Sequence, residues 1–251
     1  MELTIATFNL RNSLGREWEH LWWRRRGTTL ATLRMLDADV IGCQEAHWWQ
    51  YRWLARKLGA SWDHAGRGRS RRGRLGEHVP VFAHRSQLTV VDARTRWFGD
   101  RPATPGSTLP DASFPRITTS IRARLAGSDR TISIFNAHLD EHLAANRRRS
   151  AEQLRDWAAA TGDPAVIMGD LNAELADAEL EPLLAAGYRS VLPAGSGSTA
   201  HEYTGEIEGH AIDHILVSPE WTVIEARIET RRPGGRLPSD HWPVVATLRL
   251  T

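Results

Sequence analysis

Residues 117–140 read ITTSIRARLAGSDRTISIFNAHLD, and their punctuation decides the fold class. Two apolar, β-branched runs, 117–125 and 131–138, follow one another with only a short Ala-Gly-Ser-Asp interruption and no helix between them. Runs of the same kind recur at 3–8, 39–44, 78–84, 88–92, 165–170, 212–218, 222–229 and 243–250, bounded by Gly, Pro, Asp or Ser. Helical patterns occupy 17–36, 47–58, 143–160 and 177–186, the last ending at Gly187, a residue suited to a C-cap. Because several strands succeed one another directly, an alternating doubly wound sheet fits poorly. Two packed sheets with helices on their outer faces fit better. Segments 65–77, rich in Gly and Arg, and 100–115, with four prolines, read as loops rather than linkers. The expectation is a single α/β domain spanning 1–251.

Composition narrows the class. Of 251 residues, 41% are hydrophobic and 25% charged, enough to bury a sizeable core and unlike a disordered chain. No apolar stretch reaches 18 residues, so no spanning helix and no stable membrane association are expected. The start, MELTIATFNLRNS, lacks the basic and apolar regions of a signal peptide, and a cytoplasmic location is the expectation. Cys43 is the one cysteine, which excludes an internal disulfide and a cysteine-built zinc site. Net charge is only +2, but 31 of the 32 basic residues are arginine, Lys57 being the exception. Arginine grips phosphate with a planar fork. It is concentrated at Arg24–Arg26, at Arg67, Arg69, Arg71, Arg72 and Arg74, and at Arg147–Arg149, where a solvated surface face is the plain alternative.

Acidic, amide and imidazole side chains gather at the strand ends. TIATF ends in Asn9, VIGCQ in Glu45, and the run at 131–138 leads through Asn136 and His138 to Asp140. AVIMGD ends in Asp170 with Asn172 two residues on; Asp213 and His214 open another strand, and Ser239, Asp240 and His241 precede the last. Strand termini on a rigid sheet can present such groups to one cleft. A carboxylate at the margin of an apolar core needs a partner or a metal. Carboxylate and amide oxygens with few thiols favour a hard cation, Mg²⁺ or Mn²⁺. Taken singly, each has a plainer reading: a Gly-Asp strand end is ordinary turn chemistry, and a histidine beside a strand is commonly structural. The set and its order carry the weight.

That order resembles the endonuclease/exonuclease/phosphatase superfamily, of deoxyribonuclease I-like fold, through ATFNLR (6–11), IGCQEA (41–46), GEHVPVF (76–82), FNAHLD (135–140), MGDLNA (168–173), AIDHILVS (211–218) and SDHWPV (239–244). The resemblance implies a four-layer sandwich: two mainly antiparallel sheets flanked by helices. It also implies a Mg²⁺-dependent phosphoesterase, with Mn²⁺ as a substitute. By position, Glu45 becomes the principal metal ligand, with Asn9 and Asp240 beside the ion. Asp170 and Asn172 hold or activate the attacking water. His241 faces the scissile phosphate, oriented and kept basic by Asp213; His138 is a second such imidazole, with Glu77 as its carboxylate partner. Arg116, Arg69 and His201 are the substrate-binding candidates. Ala200 and Thr119 stand where a similar bacterial group carries aromatic residues. Trp18, Trp22, Trp23, Trp48, Trp49 and Trp53 fall at helical spacings and read as a core stripe.

Between substrate classes, a nuclease or nucleotide phosphodiesterase is the reading slightly favoured at this stage. The arginine runs favour a nuclease or nucleotide phosphodiesterase, whereas the near-neutral net charge suits a small-molecule phosphatase for sugar, inositol or nucleotide esters. A non-catalytic phosphate-binding protein on the same scaffold is a reading of another class. It conflicts with the presence of every expected catalytic side chain. The partner expected is a phosphate ester, which could be part of a nucleic acid; no protein partner is inferable.

Overall fold

The structure is a computed structural model that describes residues 2–14 and 18–251. In chain order the elements are β1 (Glu2–Asn9), α1 (Trp22–Met35), β2 (Val40–Gln44), β3 (Ala46–His47), α2 (Trp48–Leu58), β4 (Trp62–Ala65), β5 (Glu77–His78), β6 (Val81–His84), β7 (Leu88–Trp97), β8 (Ile117–Leu125), β9 (Thr131–His138), α3 (Ala144–Ala159), β10 (Ala165–Asp170), α4 (Glu181–Leu184), β11 (Arg189–Ser190), β12 (Asp213–Val217), β13 (Trp221–Ile228) and β14 (Val244–Leu250). Twelve of the strands build two six-stranded sheets, ordered β13-β14-β1-β2-β6-β4 and β11-β12-β10-β9-β8-β7, and β3 pairs with β5 in a two-stranded ribbon. Each sheet holds one parallel pair at its centre, β1 with β2 and β9 with β10, and is otherwise antiparallel. This is the expected sandwich. Apolar side chains fill three layers: under α1 and α2, between the sheets, and under α3.

The two-residue period of a strand explains how this core becomes a site. Along β1, Leu3 and Ile5 enter the layer between the sheets; Thr7 and Asn9 follow on the same face. On β9, Ile132 and Ile134 give way to Asn136 and His138; on β10, Val166 and Met168 give way to Asp170. Parallel pairing places the ends of β1 and β2 together, and likewise those of β9 and β10, with Asp170 opposite both His138 and Asp213 in register. The inter-sheet layer therefore turns from hydrocarbon to polar at one end.

Asn136 fastens the sheets where that change occurs. Its Nδ2 donates to the carbonyls of Cys43 and Pro80, both at 2.9 Å, and its Oδ1 accepts from Gln44 Nε2, which also donates to Thr7 Oγ1. Gly42 makes the crossing feasible, since a Cβ there would lie 2.6 Å from Met168 Cε and 2.8 Å from Asn136 Cγ.

Several sequence expectations are corrected. Helix α1 begins at Trp22, after a 3₁₀ turn at Trp18–His20; the start expected at Glu17 lies outside the described residues. The helix expected at 177–186 shrinks to α4, with Pro182 in its first turn. The strand expected at 78–84 divides at Val79 and Pro80, proline having no N–H for a ladder. The tryptophan stripe is only partly core: Trp22 is buried, but Trp18 is 67%, Trp23 62%, Trp48 47% and Trp49 44% exposed. The first two stack with Arg24 and Arg26, and Trp48 with Arg52, so aromatic–cation pairs cover the helix surface. Among the described residues no helix is long and apolar enough to cross a membrane.

Replacing Asn136 with Leu should take one of two acceptors from Gln44 Nε2 and one donor from each of the Cys43 and Pro80 carbonyls in a buried layer. We expect a loss of about 3 kcal/mol, read as a lower urea midpoint with an unchanged m-value. An unaltered midpoint would show that the amide does not fasten the sheets.

Candidate active site

The polar end of the sandwich opens into a cavity of about 530 Å³, lined in part by Glu45, His138, Asp170, Asn172, Asp240 and His241. Asn9, fully buried, holds two of these lining carboxylates. An amide facing two carboxylates must turn its nitrogen toward them, and Asn9 Nδ2 donates to Glu45 Oε1 at 3.1 Å and Asp170 Oδ2 at 2.8 Å. Its oxygen accepts the backbone N–H of Arg11. Asn9 is thus a bridge between carboxylates from different sheets. Glu45 Oε2 accepts from the backbone and side chain of Asn12, both at 2.9 Å. Burial opposes the charge on Glu45, yet these bonds, Asn9, His241 and Arg11 outweigh it and hold the carboxyl below its ordinary range. Burial pushes Asp170 the other way, up to about 7, with Asp213 adding and His241 and Asn9 opposing.

His241 and Asp213 form the imidazole–carboxylate pair, Nδ1 to Oδ2 at 2.8 Å. Burial disfavours the imidazolium, but Asp213, through its charge and hydrogen bond, and then Asp170 and Asp240 hold His241 well above its ordinary value. The second expected pair is different. Glu77 stands 3.9 Å from His138 Nδ1, and its carboxylate is held by Arg69 at 2.8 Å. Arg116 Nη1 donates to His138 Nε2 at 3.0 Å. Burial, then Arg116 and Arg69, push His138 well below its ordinary value. The expected second cationic imidazole is therefore neutral. On this side the positive charge belongs to Arg116 and Arg69.

Asn172 is fixed through its backbone N–H to Asp170 Oδ1 and its Nδ2 to the Leu139 carbonyl. Asp240 takes Arg11 Nε at 3.4 Å. His201, expected to bind substrate, does not line the cavity; its ring packs on Trp242 at 4.3 Å and its Nδ1 accepts the Gly205 N–H at 3.2 Å. Asp140 is also occupied elsewhere, accepting the N–H groups of His142 and Leu143 ahead of α3.

Arg11, Asn12, His20, Glu202 and Tyr203 received no role from the sequence. Arg11 closes the quoted ATFNLR run and Asn12 directly follows it, so the signal was adjacent; His20 and Tyr203 stack at 3.7 Å across 183 positions of chain, which no local pattern announces. Backbone geometry marks the same place. Of seven non-glycine residues with positive φ among the described residues, five line the cavity: Arg11, Glu45, Asn172, Glu202 and Tyr203. Such conformations cost about 1–3 kcal/mol each and collect where geometry is prescribed.

The profile of the Endonuclease/Exonuclease/phosphatase family matches residues 6–241. The chain belongs to this family. A solved family protein from Bacteroides vulgatus is 26% identical and superposes with a TM-score of 0.92 over the whole of both chains. One from Bacteroides thetaiotaomicron is 25% identical, with a TM-score of 0.90 over all of this chain and 98% of that one. A mannosyl-6-phosphatase from the latter organism is 24% identical, with a TM-score of 0.87 over 99% and 100% of the two chains. A comparison with curated protein sequences gives no match. Membership makes this a phosphoesterase family protein, in a group whose members generally depend on a divalent metal. The carboxylates suit a hard cation: Asn9 bridges Glu45 and Asp170, and Asp213 Oδ1 is buried without a hydrogen-bond donor.

His201 offers a pH test separate from catalysis. Protonating Nδ1 would set it against the Gly205 N–H, and burial, the largest cause, lowers the ring to about 4. Stability from this group is complete above the unfolded value near 6.5. It declines as pH falls toward 4, because only the unfolded chain takes up the proton. Between pH 7 and 5 the wild type should lose about 2 kcal/mol more than His201→Gln in paired urea titrations. Parallel losses would refute the assignment.

Proposed function

We propose that the protein is a divalent-metal-dependent phosphoester hydrolase that acts on a small phosphate ester by attack of an activated water. One observation carries this reading: Asn9 draws Glu45 and Asp170 from opposite sheets onto the cavity floor, facing the His241–Asp213 pair. Glu45 would hold the cation, Mg²⁺ or Mn²⁺, with Asp240 beside it and Asn9 bridging behind. Bound there, the ion would supply positive charge for the developing phosphorane.

The chain's own groups divide the remaining work. His241, held toward its charged form by Asp213, is suited to donate to a phosphoryl oxygen. Asp170, with a carboxyl near neutrality, is suited to take the proton of the water, which Asn172 helps to place. Arg116, packed behind His138, adds positive charge on that side, and neutral His138 orients it by accepting its N–H.

A small ester is favoured over a polymer because the arginine runs do not form a stripe. Arg147 pairs with Glu179, Arg148 with Glu152 and Glu181, and Arg149 with Asp100. Arg25 is buried on carbonyl oxygens and Arg69 is spent on Glu77. The two long loops also meet, Arg69 lying 4.6 Å over Phe114.

Hydrolysis of p-nitrophenyl phosphate and bis-p-nitrophenyl phosphate tests the chemistry. EDTA should abolish turnover and Mg²⁺ or Mn²⁺ restore it. Glu45→Gln, Asp170→Asn and His241→Ala should each lower kcat by about 10²–10⁴. Inertness of the wild type on these and on a broad phosphoester panel would instead support a binding protein. A steep salt dependence of binding to oligonucleotides would favour a nuclease.

A further inference from the structure

Beside the catalytic cavity lies a second one of about 380 Å³, lined by Glu19, His20, Arg24, Arg25, Arg232, Gly235, Arg236 and Leu237. His20, stacked on Tyr203, lines both and forms their common wall. Four of the eight lining residues are arginines, and Glu19 is the one acid.

The guanidinium groups are held in a way suited to an oxyanion. Arg24 lies 4.5 Å over Trp18 and Arg232 lies 5.5 Å over Trp242, so aromatic faces hold the planes while their N–H edges stay available. Arg232 uses one nitrogen on the Gly205 carbonyl. The turn at Pro233–Gly235, closed by Gly235 N–H on the Arg232 carbonyl, sets Arg232 and Arg236 around the same opening. Both of its glycines need positive φ, 66° and 73°.

Arg25 contributes differently. It is 3% exposed, and its nitrogens donate to the carbonyls of His20, Leu10, Pro238, Arg11 and Asn12. Its donors are used up but its charge is not cancelled by a hydrogen-bonded carboxylate. No carboxylate among the described residues forms an ion pair with Arg24, Arg232 or Arg236 either. A walled concavity with this excess of positive charge attracts an anion.

We propose that this cavity is a subsite for a second phosphoryl group of the molecule being hydrolysed, so that the preferred substrate is a small bisphosphorylated compound. This rests on the hydrolase reading above and adds the substrate class. One phosphate ester would sit over Glu45 and Asp170 while the other is gripped by Arg24, Arg232 and Arg236, with His20 and Tyr203 between them.

The test uses matched pairs: glucose 6-phosphate with glucose 1,6-bisphosphate, and adenosine 5′-monophosphate with adenosine 3′,5′-bisphosphate. Wild type should favour the bisphosphate of at least one pair at least tenfold in kcat/KM. Arg236→Ala and Arg232→Ala, at exposed positions, should raise KM for that bisphosphate at least tenfold. Its kcat, and both constants for the monophosphate, should stay within twofold. No preference in either pair, or equal losses on both members, would overturn the subsite. An equal arginine-dependent gain for a single-stranded oligonucleotide would overturn the small-molecule assignment. Calorimetry with Asp170→Asn separates the two readings. If no ester is hydrolysed, bisphosphate binding that weakens tenfold with Arg236→Ala added would still establish the anion site; absence of that weakening would remove it.

Discussion

The side chain of Asn9 is the constraint on which the active centre depends. It stands at the end of a central strand of one sheet and holds a carboxylate from each sheet through a single nitrogen. Two carboxylates brought together in a buried setting repel one another and resist losing water. One shared donor lessens both costs, although burial still pushes the Asp170 carboxyl up to about 7. The hydrocarbon layer below fixes the sheet spacing within which this contact can form. The Asn136 amide, threading past Gly42, keeps the sheets from sliding.

The asymmetry between the two histidines follows from what surrounds them. His241 has an unshared carboxylate in Asp213, so its proton is retained. His138 faces guanidinium groups, and its intended carboxylate is taken by Arg69. One ring therefore carries charge and the other only shape and an acceptor. The arginines behind His138 supply the charge that it does not, an exchange that keeps both walls positive toward a phosphate.

The fold class was legible because strands without intervening helices, bounded by turn residues, leave few arrangements. The strand-end chemistry was legible because it recurred six times in the order of a known family. What escaped depended on distance or on competition. Nothing near Glu77 in sequence reveals that Arg69 will outbid His138 for its carboxylate. His201 is a binding candidate by position, yet its ring is drawn onto Trp242. The exposed tryptophans have the spacing of a core stripe, and only the packed structure reveals that arginines lie over three of them. His20 and Tyr203 meet only after the chain has closed on itself.

That closure has a consequence for biosynthesis. β1 lies between β2 and β14 and pairs with β14 from Glu2↔Arg249 to Thr7↔Val244. A ribosome adding about 5–20 residues per second needs on the order of 10–50 s to produce the second partner after the first has emerged. Throughout that interval an apolar strand destined for the middle of a sheet has one open edge, a template for pairing with other nascent chains. Yield in a cell should therefore depend on how well chaperones shield the amino-terminal segment, whatever the stability of the finished protein.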